Sequence, residues 1–243
     1  MRHRLVLRAA LWAGAVGLFV CGVGSARAQN LLVNGDLDDP GIHESDTITG
    51  WTLVETIQSG GAVNSATAAS FANHTPGPPT LPPPAVRVGL WYRSFAGTVT
   101  DTVNADLFQA VPGTPGQPYW LRGWARFEAQ YPGGVAGDPT DTVFAIDFLG
   151  AGGAVLSTAS VELFADGQVN GADWGQHTVL GIAPAGTLQV RARSSMLNGH
   201  VVASNPQSAF VDDFSLTVPE PAGLSAVALA AAALVRRRRS ARA

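Results

Sequence analysis

Between Gln29 and Thr217 the apolar residues recur at every second position in short runs, never at the three-to-four-residue spacing of an amphipathic helix. Ala85–Leu90, Tyr119–Phe127, Val143–Leu149, Thr187–Arg193 and Phe210–Leu216 all alternate in this way, and Gly, Pro, Asn or Asp bounds each of them. A period of two puts successive side chains on opposite faces, the pattern of a strand with one face buried. Val111–Gly116 and Gly150–Gly153 read as turns between such runs. No repeat of 20–50 residues is present, which argues against a solenoid or propeller. Short strands with turns at this spacing predict an all-β chain, an antiparallel sandwich or jelly roll. Roughly 190 residues are enough for one such domain with its own core. Asn73–Pro84 carries six prolines in twelve residues, so it cannot be a central strand and is expected to be an exposed loop of polyproline character.

Both ends of the chain differ in composition from this body. Arg2, Arg4 and Arg8 precede an apolar run, Ala9–Val23, and then Ala26-Arg27-Ala28. That is the order of a secretory signal peptide with an A-x-A cleavage site at Ala26 and Ala28, handled by the Sec translocon, and it predicts a mature start at Gln29. Cys21 is the only cysteine, and Val20 before it does not suit a lipidation site. It leaves with residues 1–28, so the exported chain must hold together without a disulfide. At the far end, Val218-Pro219-Glu220-Pro221 is followed by fourteen uncharged residues, Ala222–Val235, and by Arg236, Arg237, Arg238 and Arg239. Fourteen helical residues span roughly 21 Å, short of the roughly 30 Å of a bilayer core. The arginines would stay on the cytoplasmic side, leaving the body outside.

This ending resembles the PEP-CTERM sorting signal of Gram-negative bacteria that make exopolysaccharide. The resemblance implies recognition of Pro219, Glu220, Pro221 and the following segment by an exosortase, with transient retention at the inner membrane. It divides the chain into a signal peptide (1–28), a β-sandwich (29–217) and a sorting signal with a hydrophobic helix (218–243).

Charge is just as unevenly distributed. Only six of the fifteen arginines lie between Gln29 and Thr217, against seventeen of the eighteen acidic residues, so the body carries a formal charge of −11. Such a surface disfavours nucleic acid, and also polyanionic glycans unless cations bridge them.

A second resemblance runs through the body. Asn30-Leu31-Leu32-Val33-Asn34-Gly35-Asp36-Leu37-Asp38, Trp51, Asp106-Leu107-Phe108-Gln109, Pro115–Trp124 and Ala209–Leu216 occur in the order of motifs found in galactose-binding-like jelly rolls, which include carbohydrate-binding modules. Leu37 stands where that pattern has an aromatic, and Asp38 where it has Glu. The resemblance implies a jelly roll with a structural Ca²⁺ where the first and last strands meet. Calcium takes six to eight hard oxygens, and Asp36, Asp38, Asp39, Asp212 and Asp213 offer carboxylates if the ends converge. Simple alternation puts Phe210, Asp212, Phe214 and Leu216 on one core-directed face, where a carboxylate needs a partner or a metal. Asp212 is therefore the first metal candidate, with Asp38 and Asp213 beside it. Asp166–Asp173 partly echoes a calcium loop, but Gln168 and His177 break its third and twelfth positions.

No H-E-x-x-H, G-x-S-x-G or P-loop pattern occurs, and the five histidines are scattered. A non-enzymatic protein is expected; a polysaccharide hydrolase working through two carboxylates is the alternative. Alternation within 119–127 places Trp120, Arg122, Trp124 and Arg126 on one side, a mixed aromatic and cationic face suited to stacking on sugars. Trp91-Tyr92-Arg93 follows the 85–90 run and is expected in a loop. Trp91, Tyr92, Trp120, Arg122 and Trp124 are thus the carbohydrate candidates. The expected role is that of a surface or matrix protein that binds carbohydrate such as exopolysaccharide, with a purely adhesive protein as the other possibility.

Overall fold

Ten strands account for nearly all regular structure in the computed structural model, which describes residues 29–37, 48–57, 66–70, 90–94, 102–201 and 207–219. The signal peptide with Ala26 and Ala28, the 73–84 segment, and Glu220, Pro221 and Arg236–Arg239 lie outside the described residues, as does Asp38. In chain order the strands are β1 (Thr52–Ile57), β2 (Ala66–Ser70), β3 (Leu90–Ser94), β4 (Val103–Pro112), β5 (Pro118–Phe127), β6 (Asp141–Leu149), β7 (Val155–Glu162), β8 (Gly175–Ile182), β9 (Gln189–Gly199) and β10 (Ala209–Thr217). The only helical elements among the described residues are two 3₁₀ turns, Pro132–Gly134 and Ala151–Gly153. No helix among them is long and apolar enough to cross a membrane.

Two five-stranded sheets form, ordered β1-β4-β9-β6-β7 and β2-β3-β10-β5-β8, with every strand pair antiparallel. This is an all-β jelly roll, as the alternation predicts. Four of the expected strands appear as β5, β6, β9 and β10. Of the 85–90 run only Leu90 is described, as the first residue of β3. Trp91 and Tyr92, expected in a loop, are instead strand residues in register with Phe210 and Ala209 of β10. Backbone pairing with a central strand settles their conformation more strongly than the preceding glycine does.

Alternation delivers an inward row from β4, β5 and β8 to the core between the sheets. On β5 the inward row is Tyr119, Leu121, Gly123, Ala125 and Phe127, and it meets Phe144, Ile146 and Phe148 of β6. Gly123 is small for a reason: a Cβ there would stand 2.5 Å from the Phe214 ring and 2.9 Å from that of Phe144. Those two rings pack edge to face at 5.0 Å and 72°, a favoured aromatic geometry.

On β10 simple alternation fails. Asp212 pairs with Trp124 while Ser215 pairs with Arg122, so Asp213 and Phe214 together oppose Gly123. Asp213 takes φ 49° to accommodate the extra residue. This β-bulge reverses parity along the strand. Ala209 and Val211 point into the core before it, Phe214 and Leu216 after it, and Asp212 shares the outer face of Trp124. The expectation that Asp212 lies on one face with Phe214 and Leu216 is therefore wrong.

Candidate functional site

The outward row of β5 carries Trp120, Arg122, Trp124 and Arg126, all half-buried, as alternation predicts. Arg122 lies over the Trp120 ring with its guanidinium carbon 5.1 Å from the ring centroid, within cation–π range. Its cross-strand neighbours are Thr178 of β8 and Ser215 of β10. Beside Trp124 stand Gln176 and Asp212 in the same register.

A third wall rises beside this face because residues 29–37 dock along β10. Asn30 is the anchor: its Oδ1 accepts from the Leu32 and Leu216 N–H groups (3.1 and 2.9 Å), and its Nδ2 donates to the Phe214 carbonyl (3.0 Å). The backbone adds Leu31 N–H to Leu216 O (2.8 Å) and Phe214 N–H to Gly35 O (2.6 Å). Gly35 must be glycine, since a Cβ would fall 2.2 Å from the Phe214 carbonyl oxygen. Gln109 of β4 clamps the segment from the other side. It accepts from Val33 N–H (2.7 Å) and donates to Val33 O (2.9 Å) and Gly50 O (2.7 Å). The Trp51 indole N–H reaches Asn34 O at 2.9 Å, and its ring packs on Phe214 at 5.4 Å. Leu37, at the position where the resembled pattern has an aromatic, is fully buried in the core.

Between that segment and the outer face of the second sheet lies a cleft of about 520 Å³. Asn30, Asn34, Gly35 and Asp36 form one side; Trp124, Gln176, Asp213, Phe214 and Ser215 form the other. An indole surface faces two carboxylates and several amide and hydroxyl groups here. Pockets that pair an apolar wall with a few convergent polar groups are the usual form of small-ligand sites. Of the sequence candidates, Trp124 and Asp213 line the cleft, while Trp120 and Arg122 continue the same face. Asp36, Gln176 and Ser215 complete it without having been singled out as carbohydrate contacts.

The 29–37 segment and the last strand, β10, converge and bring Asp36 and Asp213 to one cleft. Asp212 is fully buried, with its Oδ1 accepting from the Asp213 N–H at 2.7 Å. Among the described residues no three His, Cys, Asp or Glu side chains converge as a metal-binding group.

Other charged residues are absorbed by the scaffold. On the outer face of the first sheet the buried Asp147 carboxylate accepts from Arg191 Nε and Arg193 Nε (both 2.9 Å) and from Thr158 Oγ1 (2.7 Å). Burial alone would raise this carboxyl, but hydrogen bonds from Arg193 and Thr158 and the arginine charges hold it below the usual carboxylate range. Arg193 continues to Asp106 at 3.3 Å, and Arg191 lies over the Phe108 ring at 5.1 Å. His177 and His200, scattered in sequence, each gain a carboxylate neighbour. His177 Nδ1 sits 2.7 Å from Asp166 and its Nε2 3.2 Å from Gln168, so both side chains of the calcium-like loop are engaged by the imidazole. His200 Nε2 lies 3.4 Å from Asp138, and its Nδ1 lies 3.1 Å from the Thr140 hydroxyl.

No family model and no curated protein matches the chain. Solved structures do. An arabinose-bound GH51 α-L-arabinofuranosidase aligns at TM-score 0.52 and 16% identity over 82% of this chain and 27% of that one. A stig cyclase from Fischerella sp. TAU aligns at TM-score 0.50 and 15% identity over 79% and 98%. The carbohydrate-binding module TmCBM61, solved with β-1,4-galactotriose, aligns at TM-score 0.43 and 15% identity over 79% and 100%. The likeness is one of fold. The chain spans about a quarter of the arabinofuranosidase structure, and neither enzyme's chemistry transfers with the sandwich.

Proposed function

We propose that this is an exported, non-enzymatic surface or matrix protein whose jelly roll binds carbohydrate in the cleft beside Trp124. The observation that carries this reading is the pairing of the Trp124 indole with Asp36, Asp213, Gln176 and Ser215 around one opening. A sugar ring has apolar C–H faces and an equatorial belt of hydroxyls. An aromatic wall takes the first, and carboxylates and amides take the second. Export through the Sec translocon and processing by an exosortase at Pro219-Glu220-Pro221 rest on the terminal motifs.

Titration of the purified protein with oligosaccharides tests the cleft. Trp124→Ala should weaken binding at least tenfold while leaving the unfolding midpoint nearly unchanged. Equal affinity in the variant and the parent would remove the cleft from consideration. Mass spectrometry of the protein isolated from cells tests the sorting reading, which requires the loss of Arg236–Arg239.

A further inference from the structure

Arg122 stands apart from the other arginines whose side chains are described. Arg191 and Arg193 are bound to Asp147 and Asp106, and Arg126 is engaged by other groups. Among the described residues no carboxylate pairs with Arg122 and no acceptor takes its guanidinium; its contact is the Trp120 ring beneath it. The register surrounds it with neutral side chains, Thr178 and Ser215 across the sheet and Trp120 and Trp124 along its own strand. A half-buried guanidinium within cation–π range of an indole, with no acceptor among the described residues, leaves its planar fork of N–H donors to a ligand on that face. Such a fork matches a carboxylate.

Arg122 also belongs with the cleft. It is two residues from Trp124 on the same face, roughly 7 Å along the strand, and its partner Ser215 itself lines the opening. Arg122 therefore borders a cleft whose lining carries the carboxylates of Asp36 and Asp213. A ligand that meets both has one carboxylate for the guanidinium and hydroxyl donors for the carboxylates. The body's formal charge of −11 opposes a dense polyanion, so the fit is to an isolated acidic residue rather than a continuous run of them.

Resting on the carbohydrate reading of the cleft, we infer that the ligand is an acidic glycan with a uronic acid spaced by neutral sugars. The uronate carboxylate meets Arg122, and the ring hydroxyls meet Asp36, Asp213 and Gln176.

The test compares defined oligosaccharides of alternating uronic acid and neutral sugar with the same oligosaccharides after carboxyl reduction. Titrations use the purified protein, Arg122→Gln and Arg122→Lys, with thermal unfolding confirming that each variant is folded. Reduction should weaken binding to the parent tenfold or more and leave Arg122→Gln unaffected. Arg122→Lys should fall between them, because it keeps the charge and loses the fork. Parent affinity for the acidic set should decline with added salt. Equal binding of acidic and reduced oligosaccharides by the parent would overturn the uronate assignment and leave the cleft as a neutral-sugar site. Failure to bind either set would overturn the assignment together with the carbohydrate reading.

Discussion

Gln109 should govern the stability of the cleft without touching a ligand. Its side chain is buried and makes three hydrogen bonds, at 2.7, 2.9 and 2.7 Å, to backbone groups of Val33 and Gly50. At a net worth of about 1 kcal/mol each, removing them would cost about 3 kcal/mol. Val33 is 62% exposed, so its freed groups regain water, and about 2 kcal/mol is the expected loss for Gln109→Leu. Gln109→Glu is the sharper perturbation. It keeps the acceptor for Val33 N–H but turns a carboxylate oxygen toward two carbonyls, so it should lose at least as much despite being nearly isosteric. Urea unfolding measures the total, and exchange of the Val33 amide shows whether the 29–37 segment loosens before the rest. Glycan affinity should fall with it, since Asn34 and Asp36 ride on that segment. If Gln109→Glu proved as stable as the parent, with Val33 equally protected, the clamp would not be what holds the segment.

Other perturbations probe the scaffold. Gly35→Ala drives a methyl against the Phe214 carbonyl, which cannot rotate away, and should lower stability by about 2 kcal/mol in the same unfolding assay. Asp147→Asn leaves two partly buried arginines without their shared carboxylate and should cost about 3 kcal/mol at pH 7. Because the folded Asp147 carboxyl titrates below its unfolded value, its stabilisation is complete above about pH 4 and fades as pH falls. The gap between parent and variant should therefore close in acid, which unfolding midpoints from pH 7 to 2 would reveal. Tyr131 behaves oppositely. Burial raises its phenol above the ordinary value, the bond to Thr142 only partly offsetting this. The unfolded chain releases that proton near pH 10 and the folded chain does not, so stability should decline above about pH 10. Tyr131→Phe should flatten that decline while losing about 1 kcal/mol at neutral pH.

The jelly roll was legible because several strands alternate apolar and polar residues; β5 buries one clean row, and β10 alternates on either side of its bulge. Two of the strands not expected from the alternation, β7 and β8, lack that contrast. β7 is an edge strand exposed along most of its length, so nothing marks its inner row. β8 reverses the usual contrast, with Leu180 and Ile182 exposed and His177 and Gly181 buried. Gly181 is small because the Phe148 ring comes within 2.8 Å of where a Cβ would be. A reader of hydrophobicity alone assigns such a strand to the wrong face or to none.

The family-like motifs and the cleft came apart for a related reason. Gly35, Trp51 and Gln109 are recognisable in the sequence because they fasten a terminal segment to the sandwich, a task that only particular side chains perform. Asn30 does the same while also lining the cleft. Of the other cleft groups, Trp124, Asp36 and Asp213 stood out in the sequence as sugar or metal candidates, whereas Gln176 and Ser215 are ordinary surface residues. Their convergence depends on the bulge at Asp213. If the same residues ran on without a bulge, Phe214 would face outward opposite Arg122 and Ser215 would turn inward. Deleting Asp213 outright should restore simple alternation, leaving Phe214 inward opposite Gly123 and Ser215 outward opposite Arg122. It should keep Phe214 packed against Phe144 and Trp51 while straightening the bend that the bulge puts into β10. Asp213→Gly keeps the bulge, favours its positive φ and removes only the carboxylate. Weakened glycan binding at retained stability in both Asp213→Gly and the deletion assigns Asp213 a chemical role, whereas weakening in the deletion alone assigns the bulge a geometric one.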